Sequence, residues 1–438
     1  MTRATFVGGI HPYEGKELSK DKPIKDVLPQ GDLVYPLSQH IGAPATPIVQ
    51  KGDRVLRGQK IAEASGFVSA CVCSSVSGTV KAIEPRRVVT GDLVNSIIIE
   101  NDGQYEEIQY PEAKKLEDMT AEEVINCVKE AGIVGMGGAG FPTHVKLSVK
   151  DPSKIDYVIV NCAECEPYLT SDYRRMIEEP EKIIEGLKVS LSLFPNAKGV
   201  LAIEDNKEDC IQLFKEKTVN EPRILVKKLK TKYPQGSERS LIYAVTKRQL
   251  DSSRLPADVG CVVNNTDTIV AIYNAVINRK PLMERIVTIT GDAINDPRNL
   301  RVMIGTNYAE LIEAAGGFKT EPEKIISGGP MMGFGVFQLD LPTTKTASAL
   351  VCLTKDEVSM MEETACINCS RCLQVCPARL MPNKLSDLSK AHKEEEFVKY
   401  YGMECVECGC CSYACPAKRY LAQNIKSMRK VMLGKKKK

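Results

Sequence analysis

Eight cysteines in the last quarter of the chain repeat a single pattern. Cys366, Cys369, Cys372 and Cys376 are followed by Pro377; Cys405, Cys408, Cys411 and Cys415 are followed by Pro416. Each copy reads C-x2-C-x2-C-x3-C-P, the spacing that holds [4Fe–4S] clusters, in which three thiolates of a run share one cube and the fourth reaches the neighbouring cluster. The spacing therefore predicts two crossed ligand sets: Cys366, Cys369 and Cys372 with Cys415, and Cys405, Cys408 and Cys411 with Cys376. A zinc or disulfide module is the plainer alternative. Structural zinc takes cysteine pairs with a longer spacer and has no use for a third cysteine at x2, so the duplicated register disfavours it. Cys410 sits between two ligands, and using it in place of Cys411 would break the spacing, so it is expected to stay unligated. A chain built around two such clusters carries electrons.

Cluster ligation needs free thiolates. With 17 cysteines, an odd number, and a start (MTRATFVGGIHPYEG) lacking an apolar signal core, the expectation is a reducing cytoplasm. No stretch approaches 18 uninterrupted apolar residues, so no span is expected. A net charge of +3 and 5% aromatic residues argue against a nucleic-acid binder. The 438 residues are enough for about three domains.

Residues 1–112 read as all-β, with short apolar alternations broken by turn signals at Lys51-Gly52-Asp53, Arg57-Gly58-Gln59 and Ser77-Gly78. The phrase from Pro47 to Glu63 resembles the barrel-sandwich of biotinyl and lipoyl carriers. The expected hairpin tip, Phe67 to Cys73, has no lysine to carry a prosthetic group, so the module reads as a scaffold, and Cys71 and Cys73 as plain buried residues. From 113 to 286 the period changes. Thr120-Ala-Glu-Glu123 is a capping box. After it come strands at 157–161, 199–204, 223–226, 259–263 and 286–290, alternating with helices at 180–193, 208–217, 237–247 and 268–277. Such alternation implies a mostly parallel sheet, with ligands at the carboxyl ends of its strands. Residues 287–350 suggest a small β-grasp module with a helix over 309–315; the glycine-rich Gly328–Gly333 reads as a tight connection. Residues 351–438 are the cluster domain. From Lys426 onward there are seven Lys or Arg and no acid, and Lys435–Lys438 read as a disordered solubilising tail, with a membrane or partner contact as the sharper reading.

The second chemical signal is Gly135-Met-Gly137-Gly138-Ala-Gly140-Phe141-Pro-Thr-His-Val-Lys146. It contains G-x-G-x-x-G, but it follows a helix, whereas a dinucleotide fingerprint follows a strand. Glycines permit close backbone approach, consecutive N–H groups form an anion nest, and Lys146 adds a positive charge suited to phosphate. Cys162 and Cys165 form a C-x-x-C, yet Glu164, Glu166 and Pro167 around them oppose a lowered thiol pKa, so redox activity is not expected. His11, His40, His144 and His392 are isolated and read as structural or surface residues.

Four segments in order resemble the flavin subunit of respiratory complex I. The 135–146 loop resembles its GRGGAGFPTGLKW, Asn161–Pro167 its NADEGEP, Tyr233–Glu238 its YxCGEE, and Val263–Thr268 its VNNVET. The order of modules, opening with Gly8-Gly-Ile-His11-Pro12, is similar to that of the C subunits of Rnf complexes, the ion-translocating ferredoxin:NAD+ oxidoreductases. The resemblance covers essentially the whole chain. It implies a multidomain α/β plus β protein: an N-terminal barrel-sandwich, a Rossmann-like flavin domain, an SLBB-like β-grasp and a ferredoxin-type helical domain. It also implies non-covalent FMN, NAD(H) as substrate, and integral-membrane and ferredoxin-like partner subunits at the cytoplasmic face of a bacterial membrane. Position by position, Gly135, Gly137, Gly138, Gly140 and Lys146 would hold the flavin phosphate. Asn161, Glu164, Asn264, Asn265 and Thr268 would line the FMN, and Phe141, Glu166 and Glu238 would meet the nicotinamide nucleotide. Ala163 and Ser237 stand where the complex I pattern has acids, and ACVCSS stands at the hairpin tip where many Rnf members have APVHAP.

Nicotinamide exchanges two electrons as hydride and a cluster exchanges one, so a flavin belongs between them and no protein group need act as acid or base. Two other readings share these features. A cobalamin reductase of diol-utilising microcompartments has the same modules, with the barrel-sandwich after the clusters. A non-enzymatic relay scaffold would have a vestigial flavin loop, against which the intact Lys146, Glu166 and Asn264-Asn265 argue. The flavin subunits of soluble NADH-linked hydrogenases or formate dehydrogenases differ in the N-terminal module.

Overall fold

The computed structural model of the chain describes residues 3–435. Two antiparallel sheets form the N-terminal sandwich. One orders Leu33–Pro36, Leu93–Asn101, Gly78–Arg87 and Arg54–Val55; the other orders Thr46–Pro47, Lys60–Glu63 and Val72–Cys73. Tyr35, Val55, Ile61, Val76, Val80, Ile97 and Ile99 fill the space between them. Residues before Leu33 lie outside this sandwich. Ala4 bridges Leu229, Ile10 bridges Tyr233, and Lys25–Val27 becomes the edge strand of a different sheet, beside Arg298–Met303. A three-residue strand has no period to read, so the sequence places these residues with the β-rich region that follows them.

The second body holds four parallel strands in the order Ile224–Leu229, Lys198–Glu204, Tyr157–Cys162, Cys261–Asn265. Chain order runs outward from Tyr157–Cys162 for three strands, and the fourth then returns to its other side. The switch point thus lies between Tyr157–Cys162 and Cys261–Asn265, where such sheets open a crevice at their carboxyl ends. The capping box at Thr120 and Glu123 forms and starts the helix Ala121–Glu130. The helix Ser171–Glu178 has no counterpart in the sequence reading, because its buried side chains are Ser171, Arg175 and Met176 and leave almost no apolar stripe. The strand Glu284–Thr290, expected to continue the alternation, joins the next sheet instead. Periodicity marks a strand but not the sheet it enters.

That third sheet has six strands, ordered Lys25–Val27, Arg298–Met303, Glu284–Thr290, Ala349–Leu353, Lys324–Ser327, Phe334–Val336. The helix Tyr308–Ala314 packs on it through Tyr308, Leu311 and Ile312. A buried ion group ties the second and third bodies together: Asp267 accepts from Arg175 Nε at 2.9 Å and from Arg285 Nη1 at 2.6 Å.

The C-terminal body is short helices around Leu380, Leu385, Leu388, Phe397, Ile425 and Met428. The basic end of the chain is largely the helix Leu421–Lys435, and Lys435 pairs with Glu394 at 2.6 Å. Lys435 is therefore not part of a disordered tail, while Lys436–Lys438 lie outside the described residues. Among the described residues no helix is long and apolar enough to cross a membrane.

Candidate functional site

The two cysteine runs fold alike, residue for residue. Positive φ occurs two residues after the first cysteine (Asn368, Glu407), one after the second (Ser370, Gly409) and three after the fourth (Arg379, Lys418). Each such residue curls the backbone, so that successive thiols turn toward a common centre. This matching pairs Cys372 with Cys411 and leaves Cys410 outside the repeat. Cys410 is fully buried, with its Sγ 3.8 Å from the Tyr233 carbonyl.

Cys366, Cys369, Cys372 and Cys415 line one small cavity together with Asn383, Arg419 and Leu421. Burial pushes the Cys411 thiol up, and the neighbours that add to the effect are Cys405, Cys408 and Cys376. The same holds for Cys372, whose charged neighbours are Cys415 and Cys366. Both groupings are the crossed sets. Among the described residues no three metal-binding side chains converge on a single point. The donor set, eight thiols in two fours, fits two cubane clusters.

The flavin candidates gather at the switch point. Asn265 lies level with Asn161 across the two strands. Asn161 Nδ2 donates to the Gly236 carbonyl at 2.8 Å. The Asn265 side chain caps the helix Thr266–Val276 and donates to Asp172 at 2.8 Å. Asn264 is 1% exposed, and neither its Oδ1 nor its Nδ2 has a hydrogen-bond partner. A buried amide with both ends unpaired is costly, on the order of 1–3 kcal/mol for each unmet group, and calls for a polar ligand. The 135–146 loop lies against these residues. A Cβ on Gly137 would fall 2.7 Å from the Asn265 side chain, whereas one on Gly138 would meet open space. Met136 N–H donates to Thr268 Oγ1 at 3.0 Å, and Lys146 Nζ donates to the Val263 carbonyl at 3.1 Å. Unpartnered amide, close-approach glycine and lysine together fit a planar polar heterocycle with a phosphate.

Not every expected residue faces that space. Thr268 is fully buried and anchors the loop through Met136. Glu164 is buried at the start of the helix Ser171–Glu178; its Oε1 accepts from the N–H groups of Asp172 and Tyr173, and its Oε2 lies 3.7 Å from Lys16 Nζ. Phe141 closes the loop with its backbone, accepting from Gly135 N–H at 2.8 Å. Gly140 adopts φ 70° against the Gln39–His40 backbone of the sandwich. Burial pushes the Cys162 thiol up to about 12 and raises Cys165 as well, which suits inert thiols.

Two contributors escape sequence reading. Lys16 Nζ donates to the carbonyls of Glu164, Glu166 and Leu169 and so shapes the loop after Cys162 from 150 residues away. The Gly328–Gly333 segment is more than a connection. Met331 N–H donates to Glu166 Oε2 at 3.2 Å, and a Cβ on Gly329 would fall 2.1 Å from that same oxygen. Glu166 Oε1 is enclosed without a partner. The glycines were visible in the sequence; their target was not.

Comparison with known proteins yields the same four parts. Residues 4–104 match the RnfC barrel sandwich hybrid domain, 128–274 the Nuo51 FMN-binding domain, 286–335 the SLBB domain and 365–418 the 4Fe-4S dicluster domain. The chain is 44% identical over 441 residues to the C subunit of the Na+-translocating ferredoxin:NAD+ oxidoreductase complex of Acetobacterium woodii, covering 100% of this chain and 99% of that one. It is 44% identical to the C subunit of the proton-translocating complex of Clostridium ljungdahlii, over 91% of this chain and 87% of that one. The C subunit of the ion-translocating oxidoreductase complex of Vibrio cholerae is 36% identical over 90% of this chain, which spans 51% of that longer protein. Among solved structures, an NAD+-reducing [NiFe]-hydrogenase in the H2-reduced state shares the fold, with TM-score 0.52 and 17% identity over 72% of this chain and 63% of that one.

Proposed function

The chain belongs to the family of C subunits of ion-translocating ferredoxin:NAD+ oxidoreductase complexes, and from that premise we propose that it is the NAD(H)-reactive peripheral subunit, placed on the cytoplasmic face of the membrane. The observation that carries this reading is Asn264, a buried amide with both ends unpaired at the sheet's switch point, beside a glycine loop that is pressed on Asn265 at Gly137 and open at Gly138.

FMN, when bound there, supplies the conversion between two-electron hydride and one-electron cluster chemistry. The chain's own residues bind and orient. Asn264 would present its unpaired amide to the ring, while Asn161 and Asn265 would line the site with side chains held by Gly236 and by Asp172. Gly137 and Gly138 would offer their backbone to the phosphate, with Lys146 as the cation, while Gly135, whose N–H is given to the Phe141 carbonyl, and Gly140, set against the sandwich, would hold the shape of the loop. Glu164 and Thr268 act one step removed, fixing the helix Ser171–Glu178 and the loop. Phe141, Glu166 and Glu238 serve the nicotinamide nucleotide. No side chain needs to move a proton. Cys366, Cys369, Cys372 and Cys415 hold one cluster, and Cys405, Cys408, Cys411 and Cys376 the other.

The deciding experiment is anaerobic. Purified protein carrying acid-releasable FMN should lose its flavin absorbance on adding NADH, and it should reduce ferricyanide without its partner subunits, because hydride transfer needs only nucleotide and flavin held in contact. Flavin that stays oxidised under excess NADH would overturn the reading.

A further inference from the structure

The two cysteine runs repeat one backbone, so each residue of one has a counterpart in the other, and some counterparts differ in charge. Between its cysteines the first run carries Arg371 and no acid, while the second carries Glu407 and no base. Glu407 is the counterpart of Asn368, both at positive φ. Beyond the last cysteines, Leu380 follows Arg379 as Arg419 follows Lys418, and Arg379 and Lys418 again share positive φ. Leu380 and Arg419 are thus equivalent in place and opposite in chemistry. Leu380 joins the apolar centre of the C-terminal body and gives only its N–H to a cluster ligand, Cys376 Sγ at 3.4 Å.

Arg419 lines the cavity of Cys366, Cys369, Cys372 and Cys415, and among the described residues no other cation lines it. Its side chain is buried. Two of its three nitrogens are spent on carboxylates that do not line the cavity: Nε lies 3.5 Å from Glu363, and Nη2 donates to Asp387. Nη1 is enclosed and has no partner. Burial opposes the guanidinium charge, which Asp387 and Cys366 favour. A buried donor on a charged group is costly to leave unmet, and in this cavity the acceptors are sulfurs. The second set has an arginine of its own. Burial pushes the Cys405 thiol up, and Arg429 pulls it down. Arg429 is paired with Glu407, however, so its charge meets an acid inside the cysteine run. The carboxylates of Arg419 lie outside the runs; Asp387 is 57% exposed, and Glu363 is shared with Lys390 at 2.7 Å.

We propose that Arg419 is a potential-setting residue for the cluster held by Cys366, Cys369, Cys372 and Cys415: its unspent Nη1 donates to a sulfur of that cluster and raises its reduction potential, a contact that Leu380 denies to the other cluster. The proposal rests on the crossed ligand sets of the function proposed above. Reduction adds negative charge to a cluster, so a cation and an N–H directed at its sulfurs favour the reduced state. Arg419 touches no substrate and acts only through the cluster.

EPR-monitored redox titration of the reconstituted full chain tests it, with one cluster removed at a time. In Cys408→Ala protein, which keeps the first cluster, adding Arg419→Leu should lower the midpoint potential by at least 59 mV, a tenfold change in a one-electron equilibrium. In Cys369→Ala protein, which keeps the second, the same addition should change that equilibrium by less than twofold. Iron should stay at about four per chain in both. A fall of less than tenfold at the first cluster, or an equal shift at both, overturns the proposal. Arg419→Lys serves if leucine costs the cluster itself. It keeps a charge for Asp387 and Glu363 but loses the forked donor, so the first cluster's equilibrium should still fall at least twofold, and a smaller fall overturns the Nη1 contact. The ligand sets are read separately. Cys415→Ala should remove the signal that Cys369→Ala removes; if it removes the one lost in Cys408→Ala, it is the crossed pairing that fails.

Discussion

Lys146 Nζ stands 3.8 Å from the Glu238 carboxylate while donating to the Val263 carbonyl at 3.1 Å. The residue expected on the flavin phosphate and the residue expected on the nicotinamide nucleotide thus neighbour each other across the crevice, and one lysine bridges the two halves of the site. Removing it should loosen flavin first. Lys146→Ala removes a charge-assisted hydrogen bond of about 1.5–3 kcal/mol, so the FMN dissociation constant should rise roughly ten- to hundredfold, read by fluorescence titration of flavin-stripped protein. Binding unchanged within twofold would remove Lys146 from the phosphate site.

Glu238 should show the complementary behaviour. Its role is placement, so Glu238→Gln should raise KM for NADH with a smaller fall in kcat, as happens when ground and transition states are weakened alike. Steady-state NADH–ferricyanide kinetics on flavin-saturated protein separate the two constants. A collapse of kcat with KM unchanged would mean that the carboxylate acts only in the transition state.

The cluster register makes a prediction about iron. Cys411 occupies the position that Cys372 holds in the first run, while Cys410 packs on Tyr233. Cys410→Ala should therefore keep about eight iron and eight sulfide per anaerobically reconstituted chain. Cys411→Ala and Cys376→Ala should each lose about half. Iron loss from Cys410→Ala with Cys411→Ala intact would reverse the register.

The cysteine runs were legible because their chemistry is local: four ligands within eleven residues need no knowledge of the fold. The strands that Asn161 and Asn264-Asn265 close were legible because their periodicity is plain, whereas assigning those strand ends and the glycine loop to a flavin came only from the resemblance to the complex I flavin subunit. What escaped reading is held by distant or polar contacts. Lys16 and Met331 reach the 164–166 loop from 148 and 165 residues away, and no local pattern announces either. The helix Ser171–Glu178 is buried through an arginine, so its stripe is ionic and hydrophobic periodicity passes over it.

That ionic stripe is itself testable. Asp267 accepts from both Arg175 and Arg285, and all three side chains are 5% exposed or less. Breaking such a group by neutralising one member leaves buried charge uncompensated, at a cost of about 3–5 kcal/mol. Asp267→Asn should lower the thermal midpoint by several degrees and raise flavin loss, because Asp267 lies between the helix cap Asn265 and the loop anchor Thr268. A midpoint within one degree of the parent would show that the arginines find other partners.

Glu166 gives a pH dependence with a definite sign. Burial pushes its carboxyl up to about 7, against the pull of Met331 N–H and Lys16. In the unfolded chain a glutamate titrates near 4.3. Between those values the folded protein binds the extra proton, so its stability falls as pH rises from about 4.3 through 7 and is level above that. Glu166→Gln has no proton to lose and lacks this dependence. The difference in thermal midpoint, variant minus parent, should grow from pH 5.5 to about 7.5 and then flatten. Its slope is bounded by about 1.4 kcal/mol per pH unit. The same substitution should raise KM for NADH, since the enclosed Oε1 has no partner within the chain and is free to accept from a nucleotide hydroxyl. A midpoint difference that is flat across this range would mean that the Gly328–Gly333 loop does not seal the carboxylate from water, and a KM unchanged beside it would remove Glu166 from the nucleotide site as well.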